Sequence, residues 1–255
     1  MITGYGAMIA LGLLSAGALA CWLGHRFSLD VNDVILLSTY TVAFGISGAK
    51  ILYLALNFSL IDWPHFFEWE YFRALMGGGF VFYGGVPAGI AGLYLAGRLH
   101  HIRVADYLRA CLPSLPLVHG FGRIGCTLAG CCYGIPYSGP FALTYHNSIA
   151  APHGVSLFPI QLLEAGAEFA ICALLLYLVL KYQAKYNLLS LYLLLYGSAR
   201  FFLEFLRYDA ARGSFYLFST SQWISIFILI LLAGYWLCSR TKAKKIQTDC
   251  DEDHT

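Results

Sequence analysis

Apolar residues run in long blocks along this chain, and short polar or glycine-rich stretches separate the blocks. A block of about 20 apolar residues is the length that carries a helix across a bilayer. The blocks predict spans near 5–24, 34–57, 76–97, 109–130, 160–180, 187–206 and 221–238. The first begins almost at Met1 with no basic residue ahead of it. A signal peptide would carry a positive leading segment, so this block reads as a retained membrane helix. The fourth is the least regular, because Pro113 and Pro116 precede Gly120, Gly122, Gly125 and Gly130. That pattern suits a broken or re-entrant helix, which is tolerated where protein or a wet cavity surrounds it. The expected architecture is all-α: a polytopic membrane protein with about seven transmembrane helices in one domain over 1–239. The charged tail 240–255 is expected to have no fold of its own, and the sequence shows neither an internal repeat nor a soluble domain.

Composition agrees. Of 255 residues, 59% are hydrophobic and 12% are Asp, Glu, Lys or Arg, about half the charged share of a soluble domain. This excludes a disordered chain, a nucleic-acid-binding module and an ordinary cytosolic enzyme. Placement of the basic residues gives an orientation. Arg26, Arg98, Arg103, Arg109, Lys181, Lys185, Arg240, Lys242, Lys244 and Lys245 fall on one side, and Arg73, Arg207 and Arg212 on the other. The richer side is cytoplasmic by the positive-inside rule, so the N-terminus is expected outside and the C-terminus inside. Trp22, Trp63, Trp69, Trp223 and Trp236 lie near span ends, as interfacial anchors do.

The remaining charges stand inside expected spans: Lys50, Arg123, Glu164, Glu168, Arg200 and Glu204. Each costs about 2.5–3.5 kcal/mol at a helix centre unless it is paired or faces a polar cavity. Helical spacing groups them into stripes: Arg200, Glu204 and Arg207; Gln161, Glu164 and Glu168; His119, Arg123 and Cys126. Structural ion pairs locking helices together are one reading. The other takes arginine to exceed carboxylate, and surplus buried positive charge calls for an anion. Arg binds phosphate bidentately and stays ionised, and the abundant anion in a bilayer is a phospholipid headgroup. Gly77–Gly79, Gly84–Gly85, Gly45 and Gly48 permit close approach of a ligand or of a second helix. No Gly-Lys-Ser/Thr follows them, so they are not a nucleotide phosphate loop.

Several stretches, taken in order, resemble the prolipoprotein diacylglyceryl transferase family of bacterial inner membranes. Tyr5-Gly6 resembles its opening Tyr-Gly, and Gly45-Ile46-Ser47-Gly48-Ala49-Lys50-Ile51-Leu52-Tyr53 its Gly-x-x-Gly-Ala-Arg-x-x-Tyr, with Lys50 for arginine. Phe82-Tyr83-Gly84-Gly85 stands where the family has Phe-His-Gly-Gly, and Gly122-Arg123-Ile124-Gly125 matches the first half of its Gly-Arg-x-Gly-Asn signature. Pro159-Ile160-Gln161-Leu162-Leu163-Glu164 resembles Pro-x-Gln-x-Tyr-Glu. Arg200 through Arg207 matches Arg-x-x-x-Glu-x-x-Arg, and Ser219 through Ser225 resembles Ser-x-Gly-Gln-x-x-Ser.

The resemblance implies a multi-pass inner-membrane enzyme with seven helices and an outside N-terminus. Its reaction moves a diacylglyceryl group from phosphatidylglycerol to the thiol of a lipobox cysteine and releases glycerol phosphate. Arg123, Arg200 and Tyr5 match residues that the family needs. Arg123 and Arg200 are expected to hold the headgroup phosphate with help from Tyr5, Tyr83, Lys50, Gly84 and Gly85. Glu204 and Arg207 would fix Arg200 in place or gate the outer mouth, and Gln161 with Glu164 would support the site from behind. Neither a diffusible cofactor nor a metal is expected.

The departures concentrate in the signature. Tyr83 replaces the family histidine, and Cys126, Ala129 and Cys131 replace two asparagines and a glutamate. A phenol is a poor base at neutral pH. His119, four residues before Arg123, is the candidate replacement base, with a packing role as the alternative. His146 and His153 read as solvated loop residues. Cys126, Cys131 and Cys132 have C-x4-C-C spacing, which is not a zinc pattern. Packing, a disulfide from Cys126 to Cys131 or Cys132, and a thiol that exchanges a group stay open. So do two other functions: a same-fold transferase with a different thiol acceptor, and a catalytically silent phospholipid-binding or thiol-redox membrane protein.

Overall fold

The computed structural model describes residues 4–182, 187–209 and 214–252, with side chains of the last helix through Cys238. Lys185 and Arg212, which entered the orientation count, lie outside the described residues. The chain forms two compact units, residues 20–111 and residues 1–19 with 112–255. Helix α1 (Gly4–Arg26) contributes to both.

In the first unit, α2 (Val31–Leu56) starts where the Asp30 carboxylate accepts the Asn32 N–H at 2.8 Å. It packs on α4 (Phe82–Leu99) through glycines. A Cβ on Gly84 would strike the Gly48 carbonyl and lie 2.6 Å from Leu52 Cβ, and one on Gly85 would lie 3.0 Å from the Gly45 carbonyl. The glycine runs therefore bring two helix backbones together, as small residues do between membrane helices. The third block is not one helix from 76. Helix α3 (Trp69–Gly77) ends at the glycines, the chain turns through Gly79 at φ +67°, and α4 leaves at 83° to α3.

Lys50 serves this break. Its Nζ donates to the carbonyls of Leu75, Gly78 (2.6 Å) and Gly79 (3.4 Å), and it lies over the rings of Tyr53 and Phe80. These carbonyls are the orphan acceptors at a helix C-terminus, where a cation also meets the negative end of the helix dipole. A short helix, α5 (Val104–Cys111), is tied back to α2 by the Tyr107 hydroxyl, which donates to Asp33 at 2.7 Å.

In the second unit, α6 (Ser114–Ala129), α7 (Ile160–Tyr182), α8 (Leu188–Leu203) and α9 (Thr220–Glu252) pack in sequence, each on the next. The N-terminal half of α1 lies on α6, with Gly12 against Phe121 and Gly125 against Tyr5. Between α6 and α7, strands β1 (Leu143–Thr144) and β2 (Ser156–Leu157) pair antiparallel. A second small hairpin, β3 (Ser214–Phe215) with β4 (Phe218–Ser219), precedes α9.

Among the described residues, five helices are long and apolar enough to cross a membrane, and six if α3 and α4 count as one bent span. The fold is that of a polytopic membrane protein. The block at 109–130 is divided: α5 ends at Cys111, and Pro113 precedes the first residue of α6. At 1.5 Å per residue, the 16 residues of α6 reach about 24 Å, short of the roughly 30 Å hydrocarbon core. The tail expected to lack a fold instead prolongs α9 to Glu252.

Candidate active site

Three helices of the second unit each present one polar stripe. On α6, His119, Arg123 and Cys126 follow one another at helical spacing; on α7, Gln161, Glu164 and Glu168 do so; α8 runs into Arg200, Glu204 and Arg207. Tertiary packing brings the stripes together. Glu164 stands at the centre, with Oε2 at 3.3 Å from Arg123 Nη1 and Oε1 at 2.5 Å from Arg200 Nη1. Arg200 also reaches Glu204 at 2.8 Å and donates to the Ser221 hydroxyl at 3.0 Å. Arg207 holds Asp209 through two parallel hydrogen bonds of 3.0 and 2.8 Å, and lies 3.8 Å from Glu204 and 4.0 Å from Glu164.

The carboxylates and Arg207 are buried, with Glu164, Glu204 and Arg207 5%, 1% and 6% exposed, while Arg123 and Arg200 are half-buried. A small cavity opens among Arg123, Glu164, Glu168, Tyr196 and Arg200. Beside it, His119 Nδ1 meets Glu168 Oε1 at 2.7 Å, and the imidazole rests against Tyr196. A carboxylate on one ring nitrogen fixes the tautomer and the orientation of the ring.

The excess of arginine over carboxylate is not what the structure contains. Asp209, which lies outside the polar stripes, completes a set of three guanidinium groups against three carboxylates, and Glu168 adds a fourth carboxylate facing His119. Asp209 stands beyond the last helical turn, so no stripe includes it; its place two residues after Arg207 was the available signal. An anion entering here exchanges partners with carboxylates rather than filling a positive void. Arginine suits that exchange, since five N–H donors leave several beyond those that Glu164 engages.

The end of α6 builds a second group. Gly130 takes the left-handed conformation (φ +64°), the Cys131 N–H bonds back to the Cys126 carbonyl at 3.1 Å, and Cys132 follows at φ +55°. Gln161 Nε2 donates to the Cys131 carbonyl at 2.8 Å. The next residues pair with the segment after α8: Tyr208 N–H to the Tyr133 carbonyl and Ile135 N–H to the Leu206 carbonyl, both 3.0 Å. The chain thus folds back over the last turn of α6, and the sulfurs of Cys126, Cys131 and Cys132 lie within 4.8 Å of one another. All three are free thiols. Hydrogen bonding from Cys126 and Cys131 draws the Cys132 thiol below its ordinary pKa, and the charges of Arg207 and Arg123 act the same way. The spacing rule that discounted this trio could not register a left-handed turn between its members.

Tyr5 lies against Gly125, on the α6 turn that carries Cys126. Lys50, Tyr83, Gly84 and Gly85 belong to the other unit. There Lys50 caps the end of α3, while Gly84 and Gly85 line the α2–α4 crossing.

Comparison with known proteins accords with this arrangement. A family model described as prolipoprotein diacylglyceryl transferase matches residues 1–238. The phosphatidylglycerol–prolipoprotein diacylglyceryl transferase of Clostridium tetani is 36% identical over 231 residues, covering 90% of each chain. The second such enzyme of Clostridium perfringens is 38% identical over 229 residues, covering 90% of this chain and 88% of its own. The Finegoldia magna enzyme is 30% identical over 256 residues, covering 96% and 93%. A match of this extent, joined to arginines buried between membrane helices, shows that the chain belongs to the prolipoprotein diacylglyceryl transferase family.

Proposed function

We propose that the protein transfers the diacylglyceryl group of phosphatidylglycerol to a cysteine thiol of a prolipoprotein. The observation that carries this reading is the convergence of Arg123 and Arg200 on one buried carboxylate, Glu164, beside a cavity. Two guanidinium groups held by one carboxylate can take a phosphodiester in exchange for it. As the glyceryl carbon–oxygen bond breaks, charge grows on the departing phosphate, and fixed cations stabilise that state more than the ground state. Glu204 and Ser221 hold Arg200 in position. His119, oriented by Glu168, takes the acceptor's proton, the role that Tyr83 is poorly fitted to fill. The thiolate sulfur then attacks the glyceryl carbon and glycerol phosphate leaves. Seven passes through the bacterial inner membrane, an outside N-terminus and a lipobox cysteine as acceptor complete the reading, supported by the basic-residue count and the family.

The test supplies purified protein with headgroup-labelled phosphatidylglycerol and a lipobox-cysteine peptide. Release of glycerol phosphate together with a peptide thioether is expected, and absence of both overturns the proposal. Glycerol phosphate released with a thiol acceptor other than the peptide supports the second reading, a changed acceptor, which the rebuilt cysteine signature favours.

A further inference from the structure

We propose that Cys126, Cys131 and Cys132 form a three-thiolate site for a zinc ion whose fourth coordination position takes the acceptor thiol. The inference rests on the reading that this protein alkylates a thiol. Three sulfurs at about 2.3 Å from a tetrahedral zinc stand about 3.8 Å apart. Those of Cys126, Cys131 and Cys132 already lie within 4.8 Å of one another with no disulfide among them, so shifts of an ångström or less close the site.

Its construction is specific. A non-glycine residue in the left-handed region is strained, yet Cys132 stands there at φ +55° and so delivers the third thiol. The pairing of Tyr133 and Ile135 with Tyr208 and Leu206 holds it in place. Zinc with three thiolates bears one net negative charge, and the guanidinium groups of Arg207 and Arg123 act on this spot. Soft thiolate donors select zinc or copper(I) over hard cations, and three protein ligands with one open position are the arrangement of catalytic zinc.

Zinc deprotonates a thiol that coordinates it. The acceptor's proton passes to His119 or water, and its sulfur lone pair forms the bond to the glyceryl carbon. The carbon–oxygen bond breaks with its electron pair going to the phosphate oxygen. The resulting thioether is neutral, binds zinc weakly and departs. No electron enters or leaves the sequence. Zinc thus weakens the acceptor thiol's hold on the proton that His119 takes where Tyr83 stands for histidine.

The test titrates reduced, metal-free protein in detergent with Co2+ as a spectroscopic substitute for zinc. Thiolate-to-cobalt charge-transfer absorption should saturate at one equivalent. It should be lost in Cys126→Ser, Cys131→Ser and Cys132→Ser while their helical circular dichroism is kept, and be unchanged in Cys172→Ser. A lipobox-cysteine peptide should shift the visible cobalt bands, whereas its serine analogue should not. Absence of one-equivalent uptake, uptake that survives Cys132→Ser, or bands indifferent to the cysteine peptide overturns the proposal. Full transfer by chelator-treated, metal-free protein overturns it as well and leaves the transferase reading standing. Uptake and band shift without glycerol phosphate from any form would sink the transferase reading alone.

Discussion

Two buried cationic regions of this molecule solve the same problem by different means. In residues 20–111, Lys50 is neutralised by backbone: it ends a broken helix by binding the carbonyls of Leu75, Gly78 and Gly79. In the other unit, Arg123, Arg200 and Arg207 are neutralised by carboxylates, and Glu164 reaches all three. A lysine on carbonyls is fixed in place by the helix end it closes. Arginines on a shared carboxylate can trade that partner for another oxyanion, because carboxylate and phosphate offer the same bidentate geometry. The first arrangement shapes the chain; the second can take part in a reaction.

Breaking the second arrangement should have the largest effect. Glu164→Ala strands the Arg123 guanidinium and leaves Arg200 to Glu204 and Ser221, and removing one partner of a buried pair costs about 3–5 kcal/mol. Thermal unfolding in detergent should show that loss, and transfer should vanish with it. Arg200→Lys keeps the charge but cannot span Glu164, Glu204 and Ser221 together. Transfer should fall about 10²–10³-fold, the scale for losing one transition-state donor, with the folded state retained. The glycine crossing comes next: Gly84→Leu pushes a side chain into the Gly48 carbonyl and Leu52, an overpacking of about 1–3 kcal/mol. Of the same order is Lys50→Met, which removes hydrogen bonds from a charged donor, worth about 1.5–3 kcal/mol. It should lower the melting temperature and raise proteolysis near residues 77–81, where α3 hands over to α4.

Legibility followed the range of the interaction. Each polar stripe is written in spacing within a single helix, so His119–Arg123, Glu164–Glu168 and Arg200–Glu204 were readable without coordinates. Pairing across helices was not: the stripes hold three arginines and three glutamates, and only the fold shows that Glu168 faces His119 while Asp209 takes Arg207. The glycines at 77–79 were visible as breakers, yet their use as the hinge that Lys50 closes depends on contacts 25–29 residues away. The thiols are the sharpest case. Linear spacing argues against a metal site, and the left-handed turn at Gly130 with Cys132 beside it brings the sulfurs together regardless. Pro113 marked the divided fourth block correctly, because a proline's effect on its own backbone is local.

We propose that Arg123 and Arg200 act as one device through Glu164. A double-mutant cycle on the transfer rate, using Arg123→Lys and Arg200→Lys, measures this directly. The double variant should be about as slow as either single one, because breaking either half dismantles the same cradle. Losses that simply multiply, or single variants that keep full rate, would contradict it.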